Sequence, residues 1–378
     1  MHDSIYDTAI IGGGLAGLSL SILLAQKGAK VILFEKEQYP FHKVCGEYIS
    51  LESKDFLHGL GLDIEELELP IITKLVVTAP DGTQLNQDLD LGGFGISRFT
   101  LDQYLKNIAE QKGVTVLENC KVTDTVFTDN MFTIKNNSGD FQAKVCCGCF
   151  GKRSNLDIRW KRPFVKQVNN KLSNYIGVKY HIRTKFPDDT IALHNFKNGY
   201  CGISRIEENK YCLCYLTNAQ NLKESNNSIE EMEKNILSKN IYLKEIFERS
   251  EKLYQSPLSI SQVSFIKKSR VENHVLLLGD AAGMITPLCG NGMSMAMHGA
   301  KIAAENIADF LQAKISRQKM EHSYDEQWKK EFSSRLRTGR IIQRFFGKNW
   351  TTNLFIKVMK LFPSLTKFII QKTHGKPF

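Results

Sequence analysis

The chain has 378 residues, of which 42% are hydrophobic and 24% are charged, as in an ordinary folded protein with room for two subdomains. Its formal net charge is +10, yet residues 332–378 hold ten Lys or Arg and no Asp or Glu, which leaves 40 charges of each sign in the first 331 residues. The basic excess therefore belongs to the C-terminal segment, which argues against nucleic-acid binding and favours an anionic surface as a partner there.

The start of the chain and its cysteines predict a reduced, cytoplasmic setting. The polar opening MHDSIYD (1–7) has no basic stretch followed by an apolar one, so we expect no secretory signal. The nine cysteines are an odd number without zinc-type spacing, so we expect free thiols and no metal. Five of them are predicted to be small buried hydrophobes: Cys146, Cys147, Cys149, Cys212 and Cys214.

The first predicted elements are a strand at 5–11, a helix at 15–27 and a strand at 30–35. The uncharged run 8–25 is long enough to suggest a membrane span. Its four glycines and its change from a strand pattern to a helix pattern argue against a span. They favour a strand–helix–strand unit.

Glycines at the first strand-to-helix turn form a GxGxxG motif from Gly12, Gly14 and Gly17. In this motif the first glycine permits a tight turn, the second lets the backbone approach a pyrophosphate, and the third lets the helix pack closely on the strand. Glu35 ends the next strand 18 residues after Gly17, where a carboxylate binds a ribose hydroxyl. The predicted dinucleotide contacts here are Gly12, Gly14, Leu15, Ala16, Gly17, Glu35 and Lys36.

The middle of the chain is predicted to be rich in strands. KLVVTAP (74–80) and TQLNQDL (83–89) predict a hairpin, and Thr100 with Gln103 predicts a capping box for a helix over 100–112. Further strands are predicted at 114–118, 121–128, 131–136, 141–149, 174–182, 190–196, 199–206, 210–216 and 274–279, with helices at 228–248 and from about 290.

The stretch LLLGDAAGMITPLCGNGM (276–293) resembles FAD-dependent oxidoreductases of the p-hydroxybenzoate hydroxylase superfamily. The resemblance implies that Gly279 and Asp280 hold the ribityl chain of FAD. It also implies that Pro287 and the glycine-rich helix start lie against the flavin ring, through Gly290, Asn291, Gly292 and Met293. Helix N–H donors at that position would stabilise the negative charge of reduced flavin.

Two further stretches fit the same superfamily. GISRFTLDQYL (95–105) resembles its Arg-x-x-x-Asp-x-x-Leu motif, which implies that Arg98 reaches the ribityl or pyrophosphate region. The backbone near Val122 is expected at the adenine. CCGCFGKRSNLD (146–157) is similar to the second strand-end motif but has Phe150 where relatives carry Asp, so the way nicotinamide docks stays open.

The stretch HKVCGEYIS (42–50) looks most like the geranylgeranyl-reductase branch, in which Cys-Gly-Glu lies beside the flavin. This resemblance predicts Cys45 as a flavin-side residue and a candidate catalytic thiol, with Gly46 allowing close backbone approach. Glu47 is expected to face the substrate mouth or the loop behind it. Tyr200 is a weaker candidate proton donor, because a strand tyrosine more often packs its ring. The substrate-domain signatures of both branches are missing: GYCGISRI (199–206) lacks the Trp and Phe-Pro of the reductases, and the Trp-x-Trp-x-Ile-Pro of the halogenases does not occur. Lys74, a lysine considered for a halogenase role, is equally expected to be a solvated strand residue.

The tail NLFIKVMKLFPSLTKFIIQK (353–372) alternates apolar clusters with lysines. Leu354, Phe355, Val358 and Met359 are predicted to share one helical face, and Leu365, Phe368 and Ile369 another. Two interpretations stay open: the helices cover the substrate domain with solvated lysines, or they lie on an anionic membrane.

These observations predict an α/β fold with a Rossmann-like, doubly wound FAD-binding domain of the GR2 type, an inserted mainly antiparallel β substrate domain and C-terminal helices. The expected ranges are 1–70, 96–158 and 270–315 for the FAD-binding domain, 71–95 and 159–269 for the substrate domain, and 316–378 for the basic amphipathic helices.

The predicted function is that of an FAD-dependent oxidoreductase that uses NAD(P)H as a transient reductant. Its leading form is a reductase for a carbon–carbon double bond in a hydrophobic or carrier- or lipid-linked substrate. The alternatives are a monooxygenase, a halogenase-like enzyme, and an FAD- or lipid-binding protein without catalysis. The expected location is the cytoplasm, with the inner face of the membrane as a further candidate.

Overall fold

A computed structural model describes residues 5–166, 174–285, 290–346, 349–373 and 375–378. The strands are β1 Ile5–Ile11, β2 Val31–Phe34, β3 Tyr48–Ser50, β4 Ile71–Thr78, β5 Gln84–Gly95, β6 Thr115–Leu117, β7 Val122–Thr128, β8 Met131–Asn136, β9 Gly139–Gly148, β10 Tyr175–Arg183, β11 Thr190–Phe196, β12 Gly199–Arg205, β13 Tyr211–Asn218, β14 Glu251–Lys252, β15 Leu258–Val263, β16 Val271–Glu272 and β17 Val275–Leu277.

The helices are α1 Leu15–Gln26, α2 Lys54–Leu60, α3 Arg98–Gln111, α4 Asn155–Arg159, α5 Pro163–Lys166, α6 Ala219–Glu224, α7 Ile229–Asn235, α8 Ile241–Arg249, α9 Gly292–Leu311, α10 Arg317–Phe345, α11 Asn349–Leu361 and α12 Pro363–Thr373. Short 3₁₀ turns lie at Leu51–Ser53, Leu237–Lys239 and Gly279–Ala281.

The first sheet has the order β16-β17-β9-β1-β2-β6, and β17, β9, β1, β2 and β6 run parallel in it. β8 pairs antiparallel with β9, and β7 with β8. Ala9 and Ile10 on β1 are fully buried, as expected for a parallel strand that is covered on both faces. The predicted strand–helix–strand unit at the N-terminus is therefore confirmed.

The second sheet has the order β14-β10-β13-β12-β11-β4-β5-β3, with β15 also paired to β10. The pairing of β11 with β4 is parallel and the other pairings are antiparallel. β4 and β5 form the predicted hairpin. The mixed α/β architecture with a largely antiparallel second sheet agrees with the fold class predicted from the sequence.

The predicted capping box of α3 is wrong. The helix begins at Arg98, and its N-cap is Ser97, whose Oγ accepts a hydrogen bond from the Thr100 N–H (3.1 Å). Glu207, from the turn between β12 and β13, accepts hydrogen bonds from the Ser97 N–H (2.7 Å) and the Thr100 hydroxyl (2.7 Å). A carboxylate that is distant in sequence therefore fixes the start of the helix.

The helix predicted over 228–248 is divided into α7 and α8. Asn240 ends the 3₁₀ turn that follows α7 and caps α8 by accepting from the Tyr242 N–H (3.0 Å). The Asn240 side chain is buried, and its amide donates to the Thr78 hydroxyl and to the Asn195 carbonyl, both at 3.0 Å. These contacts with β4 and β11 hold Asn240 out of a continuous helix.

The C-terminal helices pack against both sheets. The Tyr324 hydroxyl on α10 donates to the Leu277 carbonyl on β17 (2.6 Å). Ile370 on α12 packs against Tyr48, Ile72 and Leu89 of the second sheet. Among the described helices, none is long and apolar enough to cross a membrane.

Candidate functional site

The three motif glycines have different structural roles. Gly12 has φ +104°, and a Cβ there would lie 2.5 Å from the Cys149 carbonyl oxygen. A Cβ at Gly17 would lie 2.0 Å from the Gly12 oxygen. A Cβ at Gly14 would meet only the tips of two flexible side chains, Arg98 Nη2 at 3.6 Å and Lys43 Nζ at 3.9 Å. The protein itself therefore requires Gly12 and Gly17, whereas Gly14 faces open space.

The residues predicted at the adenosine end lie beyond this turn. Glu35 is buried, and its carboxylate accepts hydrogen bonds from the N–H groups of Gly13 (2.8 Å) and Glu37 (3.1 Å). Lys36 is exposed and pairs with Glu37 (3.1 Å). The Val122 carbonyl accepts from the Asn155 amide (3.1 Å). Glu35 therefore orders the glycine turn, and its contact with a ribose stays a prediction, as do the roles of Lys36 and Val122.

A cavity of about 310 Å³ lies between the two sheets. It brings together twelve of the residues predicted at the site: Gly14, Leu15, Ala16, Cys45, Gly46, Arg98, Tyr200, Gly279, Asp280, Gly290, Gly292 and Met293. Asn291 is buried as the N-cap of α9 and does not line the cavity. Pro287 lies outside the described residues.

One side of the cavity is polar and electropositive. The N-termini of α1 and α9 both open onto it, and neither helix has a side-chain hydrogen bond from its N-cap residue. Arg98 and Lys152 add side-chain cations to the same wall. Burial lowers the pKa of Lys152 to about 8. Unpaired helix N–H groups and partly buried cations are a favourable environment for an anion.

Arg98 is held in place by a buried carboxylate one turn along α3. Its Nε and Nη2 donate to the two oxygens of Asp102, each at 2.8 Å, and Lys43 Nζ also donates to Asp102 (2.8 Å). Burial alone would raise the pKa of Asp102, but the charges and hydrogen bonds of Arg98 and Lys43 lower it. The carboxylate is therefore ionised, and it orients Arg98 towards the glycine turn.

The opposite side of the cavity is apolar and comes largely from the second sheet. Its aliphatic side chains are Ile191, Leu193, Ile203, Leu216, Ile260 and Val263. Tyr200 is buried among Leu216, Val263 and Phe265, so its ring belongs to this wall. A wall of this kind suits a hydrophobic ligand.

Cys45 lines the cavity as a half-buried thiol next to the start of α9. Its Sγ lies 3.6 Å from the Met293 sulfur, and its carbonyl accepts from the Cys212 thiol (3.2 Å). Burial raises the pKa of Cys45. The thiol is therefore protonated at neutral pH, which disfavours a thiolate nucleophile. All eight described cysteines are free, as predicted.

The predicted approach of the backbone to a bound flavin at Gly46 stays a prediction. A Cβ at Gly46 would have no protein atom within 4 Å. The residue lines the cavity, so any need for glycine there comes from a bound molecule and not from the fold.

Glu47 lines the cavity and forms a buried network in its wall. Its side chain is fully buried, and the backbone has φ +54°. One carboxylate oxygen accepts from Lys179 Nζ and from the Arg98 N–H (2.8 Å), and the other lies 2.6 Å from His181 Nε2. Burial would raise the pKa of Glu47, but the His181 hydrogen bond and the Lys179 charge lower it.

A chain of polar side chains leads from Glu47 to the surface. His181 Nδ1 lies 3.2 Å from the Tyr254 hydroxyl, which lies 3.0 Å from His42 Nε2. Tyr254 is 38% exposed. Burial is the main cause that lowers the pKa of His42 to about 4, so its ring is neutral at physiological pH. Glu47, His181 and Tyr254 therefore connect the cavity wall with solvent.

Glu47, His181 and Cys212 place their ligand atoms within 4.8 Å of one another, as a metal site would. However, the Lys179 ammonium group already neutralises the Glu47 carboxylate. Burial also holds the pKa of Cys212 well above its usual value, whereas a zinc ligand is a thiolate. The chemistry of this set fits an ion-pair cluster better than a metal centre, and the absence of a metal stays a prediction.

Sequence reasoning did not identify Lys179, His181 or Lys152 as site residues. The first two occur in the run GVKYHI of β10, where a lysine and a histidine two positions apart interrupt an apolar strand. Side chains two positions apart share one face of a strand. A lysine and a histidine on the buried face of a predicted strand indicate a buried polar network, and this pattern could have predicted the network around Glu47.

The site residues fit the pyrophosphate, ribityl chain and flavin of FAD. Alanine at Gly14 or Gly46 would point into open space, which a bound cofactor would use. Two helix N-termini and two cations face this space and suit the phosphates and the reduced flavin. The Asp280 carboxylate lines it without a hydrogen-bond donor from the described residues, so it is available to ribityl hydroxyls.

Comparison with known proteins agrees with this fit. A family model described as an FAD binding domain matches residues 5–330. Conditioned medium factor receptor 1 of Dictyostelium discoideum is 26% identical, across 99% of this chain and 75% of that protein. Digeranylgeranylglycerophospholipid reductase of Methanococcus vannielii is 22% identical, across 96% and 97% of the two chains.

Two solved structures share the fold. A geranylgeranyl bacteriochlorophyll reductase-like protein of Thermoplasma acidophilum has a TM-score of 0.78 at 16% identity, covering 98% of this chain and 96% of that one. A flavin-dependent brominase has a TM-score of 0.77 at 19% identity, covering 98% and 93%. The match of the FAD binding domain model to residues 5–330 confirms the superfamily resemblance seen in the sequence.

Proposed function

The chain belongs to the FAD binding domain family, and from this premise we propose that it is an FAD-dependent reductase that saturates a carbon–carbon double bond in a hydrophobic, isoprenoid-type substrate with electrons from NAD(P)H. One observation carries the proposal. A single cavity has a glycine-lined, electropositive wall on one side and an aliphatic wall on the other. The sequence similarity to a reductase of geranylgeranyl lipids along nearly its whole length supports the same class of substrate.

Bound FAD supplies two-electron chemistry between a nicotinamide and the substrate. The protein's part is to hold the cofactor and to exclude water. Arg98 and Lys152, with the N-termini of α1 and α9, hold the anionic parts. Asp102 fixes Arg98, and Asp280 accepts from the polar chain between pyrophosphate and flavin. The aliphatic wall of the second sheet orients the substrate and keeps the site dry.

Double-bond reduction also needs a proton, and the network around Glu47 supports a route for it. After hydride addition at one carbon, the other carbon takes a proton from the site. The site must then regain that proton from solvent. Tyr254 is exposed and contacts His181, and His181 contacts Glu47 in the cavity wall. We assign this path the role of proton supply, with Lys179 holding Glu47 ionised at rest.

The two residues first considered as catalytic have other properties in this site. Cys45 carries a protonated thiol next to Met293 and is suited to line the ring of the cofactor or the end of the substrate. Tyr200 packs in an apolar cluster of the substrate wall. Both stay predictions, and we place them as contact residues in the proposed mechanism.

Halogenation and oxygen insertion are the competing reactions. The similarity to the brominase concerns the fold alone at 19% identity. Lys74, the lysine considered for a halogenase role, pairs with Asp189 (2.8 Å), and its side chain is 56% exposed. Lys74 is also not among the residues that line the cavity. These observations count against a halogenase role for Lys74.

The test is anaerobic turnover. The FAD-loaded protein is mixed with NADPH or NADH and a detergent-dispersed geranylgeranyl lipid under nitrogen, and the absorbances of nicotinamide and flavin are followed. The proposal predicts that the nicotinamide is consumed in proportion to saturated product. Consumption that requires oxygen, with a hydroxylated product or, in bromide, a brominated one, would assign the protein to one of the competing reactions.

A further inference from the structure

Exposed apolar side chains are concentrated at the C-terminal end of the protein. Of the sixteen exposed large hydrophobic residues in the described chain, eight lie between Ile341 and Phe368. They are Ile341, Phe345, Trp350, Leu354, Leu361, Phe362, Leu365 and Phe368. An apolar concentration of this kind on a folded protein indicates a surface that another apolar phase covers.

Six of the eight form a stripe along α11, the turn and α12, which we call the C-terminal stripe. Trp350, Leu354 and Leu361 are spaced by four and seven residues and therefore share one face of α11. Phe362 follows in the turn, and Leu365 and Phe368 are one turn apart on α12. Their exposure ranges from 42% for Leu365 to 73% for Leu361.

Other side chains of the same helices anchor them to the protein. Ile356 and Met359 on α11 are buried, and Ile370 packs against the cluster that contains Tyr48. The two interpretations of the tail are therefore compatible, because one face covers the second sheet while another is exposed. Of the residues predicted to share a face of α11, Leu354 is exposed and Met359 is buried, so that prediction is wrong.

The C-terminal segment that carries the stripe contributes charges of one sign. Residues 332–378 contain ten basic residues and no acidic one. Lys357 and Lys367 reach Asp81 (3.4 Å) and Asp90 (3.0 Å) on the β4–β5 hairpin. Lys360 is exposed and forms no ion pair with the described residues, and Lys372 lies over the Phe368 ring at 5.4 Å. Lysines therefore lie beside the stripe, and Lys360 is available to an external anion.

We propose that the C-terminal stripe docks the protein on the surface of an anionic lipid bilayer, with the apolar side chains in the headgroup boundary and the lysines on anionic headgroups. An apolar face edged by basic residues is the pattern of an interfacial helix. A second copy of the chain is a poorer occupant, because it would bring two sets of ten basic residues together without acidic partners.

Docking in this way would bring the cavity close to the bilayer. Ile370 on α12 packs against the cluster that contains Tyr48, and Tyr48 lines the cavity. The inference goes beyond the proposed reaction and does not depend on it, because a detergent-dispersed substrate would reach the cavity without a membrane. Failure to bind membranes would therefore leave the reductase proposal intact. Failure to reduce a double bond would likewise leave the membrane proposal intact.

The test is co-sedimentation of the FAD-loaded full-length protein with vesicles. The vesicles contain either equal parts of phosphatidylglycerol and phosphatidylcholine or phosphatidylcholine alone. The protein is expected to sediment with the anionic vesicles at low salt, less at high salt, and little with the neutral ones. Trp350 is 66% exposed, so its fluorescence is expected to shift to the blue on binding, and Trp350→Phe is expected to remove that shift.

Leu361→Ser/Phe362→Ser is the decisive variant, since both side chains are exposed and their replacement leaves the core intact. It is expected to weaken anionic-vesicle binding about tenfold or more, and Lys360→Gln about fivefold. Ile241→Ser on α8 is the matched control, because Ile241 is 66% exposed outside the stripe. Absence of binding at low salt, or equal binding by the double variant and the control, would overturn the proposal. It would also be overturned if the protein did not bind vesicles but formed a dimer that the double variant abolished.

Discussion

Glu47 and Lys179 form a buried ion pair that joins the segment after β2 to strand β10 of the second sheet. The two residues are 132 positions apart in the chain. The same carboxylate accepts from the Arg98 N–H at the start of α3 and contacts His181. One side chain therefore ties together the glycine-lined wall, the helix that carries Arg98 and the sheet that carries the apolar wall.

Replacing Glu47 by Gln is expected to destabilise the protein by about 3 kcal/mol, because it leaves the Lys179 charge buried without a counter-ion. Chemical denaturation at neutral pH measures this change. Glu208→Gln is the matched control. Glu208 pairs with Lys210 on the surface, so its loss is expected to be undetectable. A Glu47→Gln protein as stable as the control would show that the pair does not hold the two parts together.

The contribution of Glu47 is also expected to depend on pH. Its pKa in the folded protein is below the usual value of 4.5, so the folded form keeps this carboxylate ionised at a pH where the unfolded chain protonates it. The stability it provides is therefore complete above pH 4.5 and is lost as the pH falls further. The difference in unfolding free energy between wild type and Glu47→Gln should shrink between pH 5 and pH 3. A difference that stays constant in that window would contradict the assignment.

Two glycines of the same motif should respond differently to alanine. At Gly14 the new methyl group meets only the ends of the Arg98 and Lys43 side chains, so stability should change by no more than about 1 kcal/mol. FAD retention should fall sharply, because the methyl group occupies the space assigned to the pyrophosphate. At Gly17 the methyl group meets the Gly12 oxygen, so folding itself should lose about 1–3 kcal/mol. The measurements are flavin content after gel filtration and thermal melting of the apoprotein.

The two variants should separate loss of FAD binding from loss of stability. If Gly14→Ala keeps a full complement of FAD, the cofactor does not approach the α1 N-terminus as proposed. If Gly14→Ala and Gly17→Ala destabilise the apoprotein equally, the space beside Gly14 is not open, and the fit to FAD fails with it.

The assigned proton path is tested at its exposed end, where folding is not at risk. Tyr254→Phe removes the hydroxyl between His181 and solvent, so turnover should fall roughly tenfold or more, a smaller effect than the roughly hundredfold expected for loss of the proton donor itself. The solvent deuterium isotope effect on turnover should rise, because proton supply becomes slower. Tyr104→Phe on α3 is the control, since Tyr104 is 40% exposed, close to the 38% of Tyr254. Equal turnover and isotope effect in the two variants would remove Tyr254 from the path.

Cys45→Ser should leave FAD content unchanged and reduce turnover by less than the roughly hundredfold expected for loss of a proton donor. The reason is that burial keeps the thiol protonated, and its contacts are packing contacts with Met293 and Cys212. Single-turnover rates of substrate reduction measure the effect. Complete loss of substrate reduction with intact flavin reduction would instead make Cys45 catalytic.

Local patterns in the sequence predicted the parts of the site that come from contiguous stretches. The strand–helix–strand unit and the GxGxxG turn are fixed by neighbours in the chain, and Gly279 and Asp280 follow a short buried strand. Gly14, Gly279 and Asp280 line the cavity, whereas Gly12 and Gly17 serve the packing of the turn and Glu35 orders it. Arg98 was predicted from the similarity to a known superfamily. A single arginine before a helix would not by itself have suggested a cofactor contact.

The remaining features depend on contacts between distant residues. Lys179 is buried in a strand because Glu47 neutralises it, and nothing near Lys179 in the chain reports that partner. Ser97 replaces Thr100 as the cap of α3 because Glu207 approaches from the second sheet. Asn240 interrupts the predicted long helix because its amide bonds to Thr78 and Asn195. In each case a tertiary hydrogen bond overrides the local pattern.

The most direct test of the proposed function is the mass of the product formed without oxygen. The FAD-loaded protein, NADPH and a geranylgeranyl lipid are incubated anaerobically in deuterated water, and the lipid is analysed by mass spectrometry. The account predicts a product that has gained two hydrogens per reduced double bond, at least one of them deuterium from the solvent-connected path through Tyr254, His181 and Glu47. An unchanged lipid, despite full reduction of the bound flavin by NADPH, would contradict it.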